Sequence, residues 1–403
     1  MNVHKRFGAE GVQGLGGGMV SAASQQNLQK AEDLCRKGRP RDAVPFLMLA
    51  LEDENNLDAD IQMAFLSPNK PAVVEVLENA EVKGRRLLKR RLGPNTFSDD
   101  GPHVGNFGMI VETRPYMRVL QALVRMYFEN GKYTKSTETM IEMMRLCPAD
   151  NMNQRSWLGS MLLRVGRHAD ALYFAQVWID ADEGDGTPPL RGGTAFQAPH
   201  RELCSEAREK ALSDPYFSPA VLLHTAALAA FHLWGACPQA AQYLRLAARA
   251  NPHILVKILG RRSAPDEMNM LPRGINGPEE AQDYRWLTQD LWTEARVWGW
   301  ITSDPVINRE LLKICSRPDC TAQETRPTQF KQCAACHQVT YCAQTCQKSD
   351  WKRHRAECQE HQRIKKTIKN FDQGKPNTTN VPIISTDFPV GGPPVAFDGT
   401  KFL

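Results

Sequence analysis

The sequence lacks several features at once, and each absence removes a class of protein. Its 403 residues contain no run of about eighteen apolar residues, so no membrane-spanning helix is expected. Lys5 and Arg6 are followed by a glycine-rich stretch, Gly8–Gly18, where a secretory signal would carry an apolar core. Sustained period-two alternation is missing outside one short piece near Val339 and Tyr341, which argues against a β-rich fold. There is no H-E-x-x-H, no G-x-S-x-G and no P-loop. The run Gly14–Gly18 has no strand before it to make a dinucleotide loop. Catalysis is therefore not expected. Outside one segment, cysteines are few and isolated: Cys35, Cys147, Cys204 and Cys237 sit in apolar or helical contexts. Scattered thiols suit a reducing compartment, cytosol or nucleus.

What is present is ordinary in bulk and uneven in detail. Hydrophobic residues make up 42% and charged residues 24%, values typical of a soluble protein with a sizeable core. The net charge of +5 is small but concentrated. One basic cluster is Lys83, Arg85, Arg86, Lys89, Arg90 and Arg91; the other runs from Lys348 to Lys369. A solvated helix face is the simpler explanation for each, with nucleic-acid or import-receptor contact as the alternative. Residues 1–24 are glycine- and serine-rich and are expected to be disordered. From 25 to about 304 the pattern is helical. Residues 359–403 read as the end of a basic helix followed by a flexible, proline-rich tail.

Four glycines bring the helical region into register: Gly38, Gly131, Gly166 and Gly235. Five residues after them stand Ala43, Ser136, Ala171 and Ala240, all small. Nine after stand Leu47, Met140, Ala175 and Leu244; twelve after, Ala50, Met143, Trp178 and Ala247. Four before them stand Leu34, Tyr127, Leu162 and Phe231. This is the pattern of a helix hairpin, in which a glycine makes the turn and a small residue lets the helices approach. Proline follows the second helix at Pro148 and Pro252 and is expected to stop it. The pattern resembles the tetratricopeptide repeat, whose period is about 34 residues. The resemblance implies an α-solenoid interrupted by insertions near 56–113 and 180–219. The first insertion is expected to hold a helix from Pro71 to Leu92. The aromatics Tyr284, Trp286, Trp292, Trp298 and Trp300 are expected to close the last repeat instead of forming an open surface. Leu28, Glu32, Ala122 and Trp157 occupy the places where some tetratricopeptide proteins hold a chaperone carboxylate, and none can do so.

The remaining segment, 312–358, carries the chemistry. It reads C-x4-C-x12-C-x2-C-x5-C-x3-C-x7-H-x3-C from Cys315 to Cys358 and holds seven of the eleven cysteines in 44 residues. Thiolates and imidazole at chelating spacings are what zinc requires. Cys333 and Cys336 can chelate from a tight turn. Cys342 with Cys346, and His354 with Cys358, fall one helical turn apart. Cys315 and Cys320 need a loop, which Pro318 permits. Eight ligands make two zinc sites with no position left for water, so the sites are structural. Such a small module needs metal to fold, with zinc contributing on the order of 10 kcal/mol.

Spacing alone does not choose between sequential and interleaved pairing, since either satisfies valence. Six cysteines followed by His and Cys, with the stretch Tyr341 to Trp351 between, resemble the MYND-type zinc finger. A RING or PHD order would place the histidine earlier. The resemblance implies that Cys315, Cys320, Cys342 and Cys346 hold one zinc, and Cys333, Cys336, His354 and Cys358 the other. It also implies that Gln347 and Trp351 line a groove for proline-containing peptides. The first ligand pair, Cys315 and Cys320, and the loop after it are longer than the usual pattern; His337 and His361 are nearby imidazoles that could substitute. The expected function is a non-enzymatic adaptor with protein partners. The alternatives are a nucleic-acid-associated regulator using the basic finger helix and, further off, a SET-type lysine methyltransferase, for which the β-rich blocks are missing.

Overall fold

The computed structural model describes residues 9–181, 187–214, 218–260, 262–266, 275–305, 311–372, 383–384 and 396–397. The fold is mostly helical. Its helices are α1 (Ala9–Gln13), α2 (Ala22–Arg36), α3 (Pro40–Leu51), α4 (Leu57–Phe65), α5 (Lys70–Leu92), α6 (Arg114–Glu129), α7 (Tyr133–Leu146) and α8 (Arg155–Arg164). They continue with α9 (His168–Ala181), α10 (Glu206–Leu212), α11 (Ala220–Trp234), α12 (Pro238–Ala250), α13 (Pro252–Leu259), α14 (Pro278–Trp292), α15 (Ala295–Ser303) and α16 (Gln344–Asp372).

The four aligned glycines sit at hairpin turns, with φ of +71°, +71°, +76° and +72°. No atom lies within 4 Å of where a Cβ would stand at any of them. Glycine is thus required by the backbone conformation and not by lack of space. Three turns are closed identically. Gly38 N–H donates to the Cys35 carbonyl and Arg39 N–H to Leu34; Gly131 and Lys132, then Gly166 and Arg167, repeat the pair at 2.8–3.0 Å. Gly235 differs. Its ψ is −156°, α12 begins three residues on at Pro238, and the Cys237 sulfur accepts from Ala240 N–H to cap that helix. The residues five and nine positions after each glycine are all fully buried, as hairpin packing demands.

One core runs from Leu57 to Leu311, and a smaller one holds α2 and α3 together through Leu15, Leu28, Ala43 and Leu47. Segment 56–113, expected as an insertion, contributes buried residues from Leu57 to Phe107 to the main core. Helices α4 and α5 pack on each other, and α5 lies along α6, with Gly84 allowing Leu57 and Tyr116 to close over it. Pro252 does not simply stop α12; it occupies the first turn of α13. Helix α10, in the expected insertion near 180–219, starts at Glu206, where the Ser205 hydroxyl caps it. The late aromatics are packed inward: Tyr284 and Trp292 are buried in α14, and Trp300 stacks on Phe231 with ring centroids 4.4 Å apart. The first basic cluster is largely paired, Lys83 with Asp60, Arg85 with Glu81, and Arg90 with Glu54.

The N-terminal expectation needs correcting where the structure describes it. Residues 9–24 are ordered, because their glycines form a tight turn that buries Leu15. Glu10 accepts from Gly16 N–H and, with Asp58, brackets the Arg118 guanidinium at 2.6–2.8 Å. Residues 1–8 lie outside the described set. So does most of the expected tail, within which Ile383–Ile384 pairs antiparallel with Ala396–Phe397.

Two glycine substitutions test the packing with opposite signs. A Cβ on Gly159 of α8 would stand 2.9 Å from the Thr225 methyl of α11, whereas Gly299 faces open space. Thermal unfolding should therefore show Gly159→Leu destabilised by about 1–3 kcal/mol and Gly299→Ala neutral or stabilised by up to about 1 kcal/mol.

Candidate metal centre

The finger is assembled from loops, one minimal hairpin and the start of α16. Strand β1 (Lys331–Gln332) pairs antiparallel with β2 (Thr340–Tyr341). Between the strands, Cys333 and Cys336 occupy a turn closed by His337 N–H donating to the Cys333 carbonyl at 2.9 Å. Ser316 N–H donates to the Thr340 carbonyl at 2.8 Å, which brings the Cys315 loop against β2.

Two groups of four donors result. Cys315, Cys320, Cys342 and Cys346 form one, and Cys333, Cys336, His354 and Cys358 the other; within each, every ligand atom lies within 4.8 Å of the rest. This is the interleaved arrangement. The sulfurs of Cys320, Cys342 and Cys346 are 3.5–3.8 Å apart, and those of Cys333 and Cys358 are 3.9 Å apart. Cys336 Sγ lies 3.3 Å from His354 Nε2. A tetrahedron with metal–sulfur bonds of about 2.3 Å has edges of about 3.8 Å, whereas a disulfide brings sulfurs to about 2.05 Å. The spacing therefore fits zinc, and the cysteines are free thiols. His337 is exposed and outside both sets. His361 meets Gln338 instead.

The local electrostatics favour a cation. Burial opposes the Cys333 thiolate, but the Cys336 and Ala335 N–H groups and His354 outweigh it and draw its pKa down to about 6. Cys315 is likewise drawn down to about 7 against burial, by the N–H groups of Cys342 and Arg317. Cys342, against the Cys346, Cys320 and Cys315 sulfurs, is pushed up to about 12. Four crowded sulfurs cannot all lose their protons unless a positive ion compensates them.

A polar frame holds the donors in place. Tyr341 is buried and donates its hydroxyl to Asp350 at 2.8 Å; Asp350 also receives Arg353 at 2.6 and 2.7 Å. Arg353 reaches on to the Ser316 carbonyl, tying the helix to the first ligand loop. Glu324 does the same for the twelve-residue loop. Though only 3% exposed, its carboxylate accepts from Lys313 N–H at 3.0 Å and Phe330 N–H at 2.7 Å. Nothing in its sequence neighbourhood sets this glutamate apart; only its burial does. Lys365 donates to the Cys336 carbonyl at 3.0 Å, so α16 braces the second set well beyond the last ligand.

Gln347 is half-buried and Trp351 is 41% exposed. They continue the helical stripe of His354 and Cys358 toward the N-terminus, and the Trp351 ring meets the His354 ring edge-on at 6.1 Å.

Residues 315–358 match the family model of the MYND finger. The chain is similar to two F-box proteins of Arabidopsis thaliana, 40% identical over 60 residues and 43% over 53. These matches cover 15% and 13% of this chain and 18% and 14% of theirs. It is also similar to the histone-lysine N-methyltransferase ASHR1 of the same plant, 40% identical over 60 residues, covering 13% of this chain and 12% of that one. The chain thus spans less than a fifth of the length of these curated relatives. No solved structure matches it. Among the described residues, no helix is long and apolar enough to cross a membrane.

Elemental analysis of the purified protein is expected to give two zinc ions per chain, falling to about one in Cys346→Ser. Glu324→Gln should keep both ions but release zinc to a chelator at least several-fold faster, because the amide has one acceptor oxygen and sets its NH2 donor against one of the two N–H groups of Lys313 and Phe330.

Proposed function

We propose that the protein is a non-enzymatic adaptor in which a solenoid of tetratricopeptide-like hairpins carries a zinc-held MYND finger that binds proline-containing peptides. The exposure of Trp351 carries this proposal. A tryptophan needed only to prop the zinc helix would be buried. This one keeps two-fifths of its surface in solvent, beside Gln347, on a helix fixed by both donor sets. An exposed, rigidly held aromatic is the usual anchor of a peptide contact.

The solenoid part rests on the shared register of the four hairpins and the burial of their small residues. Such stacks offer extended concave surfaces to partners. The non-enzymatic part rests on the donor sets: four protein ligands fill each tetrahedron and leave no position for an activated water. Two relatives are F-box proteins by name, which is compatible with a finger used as an adaptor element. The nucleic-acid alternative loses part of its basic stripe to contacts within the chain. Arg353 is held by Asp350, Arg363 by Glu360 and Lys365 by a carbonyl of the finger.

Trp351→Ala is expected to weaken a proline-containing peptide selected on the wild-type finger by at least about tenfold, with two zinc ions retained. Unchanged affinity would overturn the proposed groove, and zinc loss would show the tryptophan to be a prop.

A further inference from the structure

Helix α3 is divided sharply between its two sides. Ala43, Leu47 and Ala50 are fully buried in the small N-terminal core. On the opposite side, Val44, Met48 and Leu49 are 38%, 58% and 47% exposed, with exposed Pro45 among them. Arg41 in the first turn and Glu52 at the C-cap are also exposed and complete the stripe. Positions 41, 44, 45, 48, 49 and 52 follow the three- and four-residue spacing of a single helix face. The face therefore reads cation, apolar centre, anion along its length.

Neither charge is placed for the benefit of its own helix. The macrodipole disfavours a cation in the first turn and an anion at the C-terminus. The hairpin of α2 and α3 also has a small core of its own, separate from the main one, so the outer face of α3 is not a continuation of that core. An apolar face there, framed by charges set against the dipole, fits a surface made for a partner.

We infer that this face pairs with the same face of a second copy of the chain, the two α3 helices lying antiparallel about a two-fold axis. Arg41 and Glu52 stand symmetrically about the point between Phe46 and Leu47, about 16 Å apart along the axis. Two-fold antiparallel packing sets Arg41 against the partner's Glu52 and Glu52 against the partner's Arg41, and it brings Val44 against the partner's Met48 and Leu49. A parallel pair would oppose like charges at both ends. An isologous contact of this kind closes on itself as a dimer and does not propagate. Three apolar side chains and a proline per copy make a small interface beside the roughly 800 Å² per partner of a standard one. The dimer is therefore weak and concentration-dependent.

The test is light scattering or sedimentation of the full-length, zinc-loaded protein from about 1 to 300 μM, a range that brackets weak association. The mass should rise from the 45.2 kDa of one chain toward twice that value. Met48→Glu and Arg41→Glu should each hold the protein at the monomer mass, with helix content and thermal unfolding as the check on folding. Arg41→Glu combined with Glu52→Arg should restore the dimer, since the swapped charges meet again across the axis. A wild-type protein monomeric throughout, or a dimer that survives both single substitutions, would overturn the inference. A dimer lost in Arg41→Glu and not recovered in the double variant would overturn the antiparallel register.

Discussion

The finger depends on one constraint: its two donor sets interlock. The first set takes two ligands before the β1–β2 hairpin and two after it, and the second takes two from inside the hairpin turn and two from further along α16. Neither can close without fixing the path of the chain through the other. The segment has little else to hold it. Its buried apolar side chains reduce to Phe330 and Tyr341 beside the ligands themselves. Helix α16 contributes to both sets, Cys346 to one and His354 with Cys358 to the other, about 12 Å apart along the axis. That double attachment sets the orientation of Trp351, which lies between the two points. The rigid placement of the exposed tryptophan, on which the proposed peptide contact rests, derives from the two donor sets.

The helical body obeys a different constraint, the turn geometry of its hairpins. Three glycines close their turns with the same two hydrogen bonds, and the buried small residue five positions on lets the paired helices approach. Gly235 keeps the positive φ and the buried Ala240 but not the bond pattern. Repetition here conserves packing, while turn detail is free to vary.

Local spacing explains what was legible from sequence. Metal ligands must sit at chelating intervals and helix hairpins must place glycine at the turn, so both features are written within a few residues of each other. Interactions between distant segments leave no such mark. Glu10 meets Arg118 across 108 residues, and this pair, with Asp58, holds the glycine-rich segment 9–18, which composition reads as disorder, against α6. Glu324 is equally silent, since its role is to receive two N–H groups from loops that only the folded chain brings together. Segment 56–113 lacks the glycine turn and reads as an insertion, yet α4 and α5 belong to the main core, packed through Gly84, whose value lies in the side chains that cross it.

The interlocked pairing is tested most directly by replacing zinc with cadmium-113 and recording cadmium–proton correlations. One cadmium should correlate with the β-protons of Cys315, Cys320, Cys342 and Cys346, and the other with those of Cys333, Cys336 and Cys358 and the ring protons of His354. Correlations that join Cys315 and Cys320 to Cys333 and Cys336 on one ion would contradict the account.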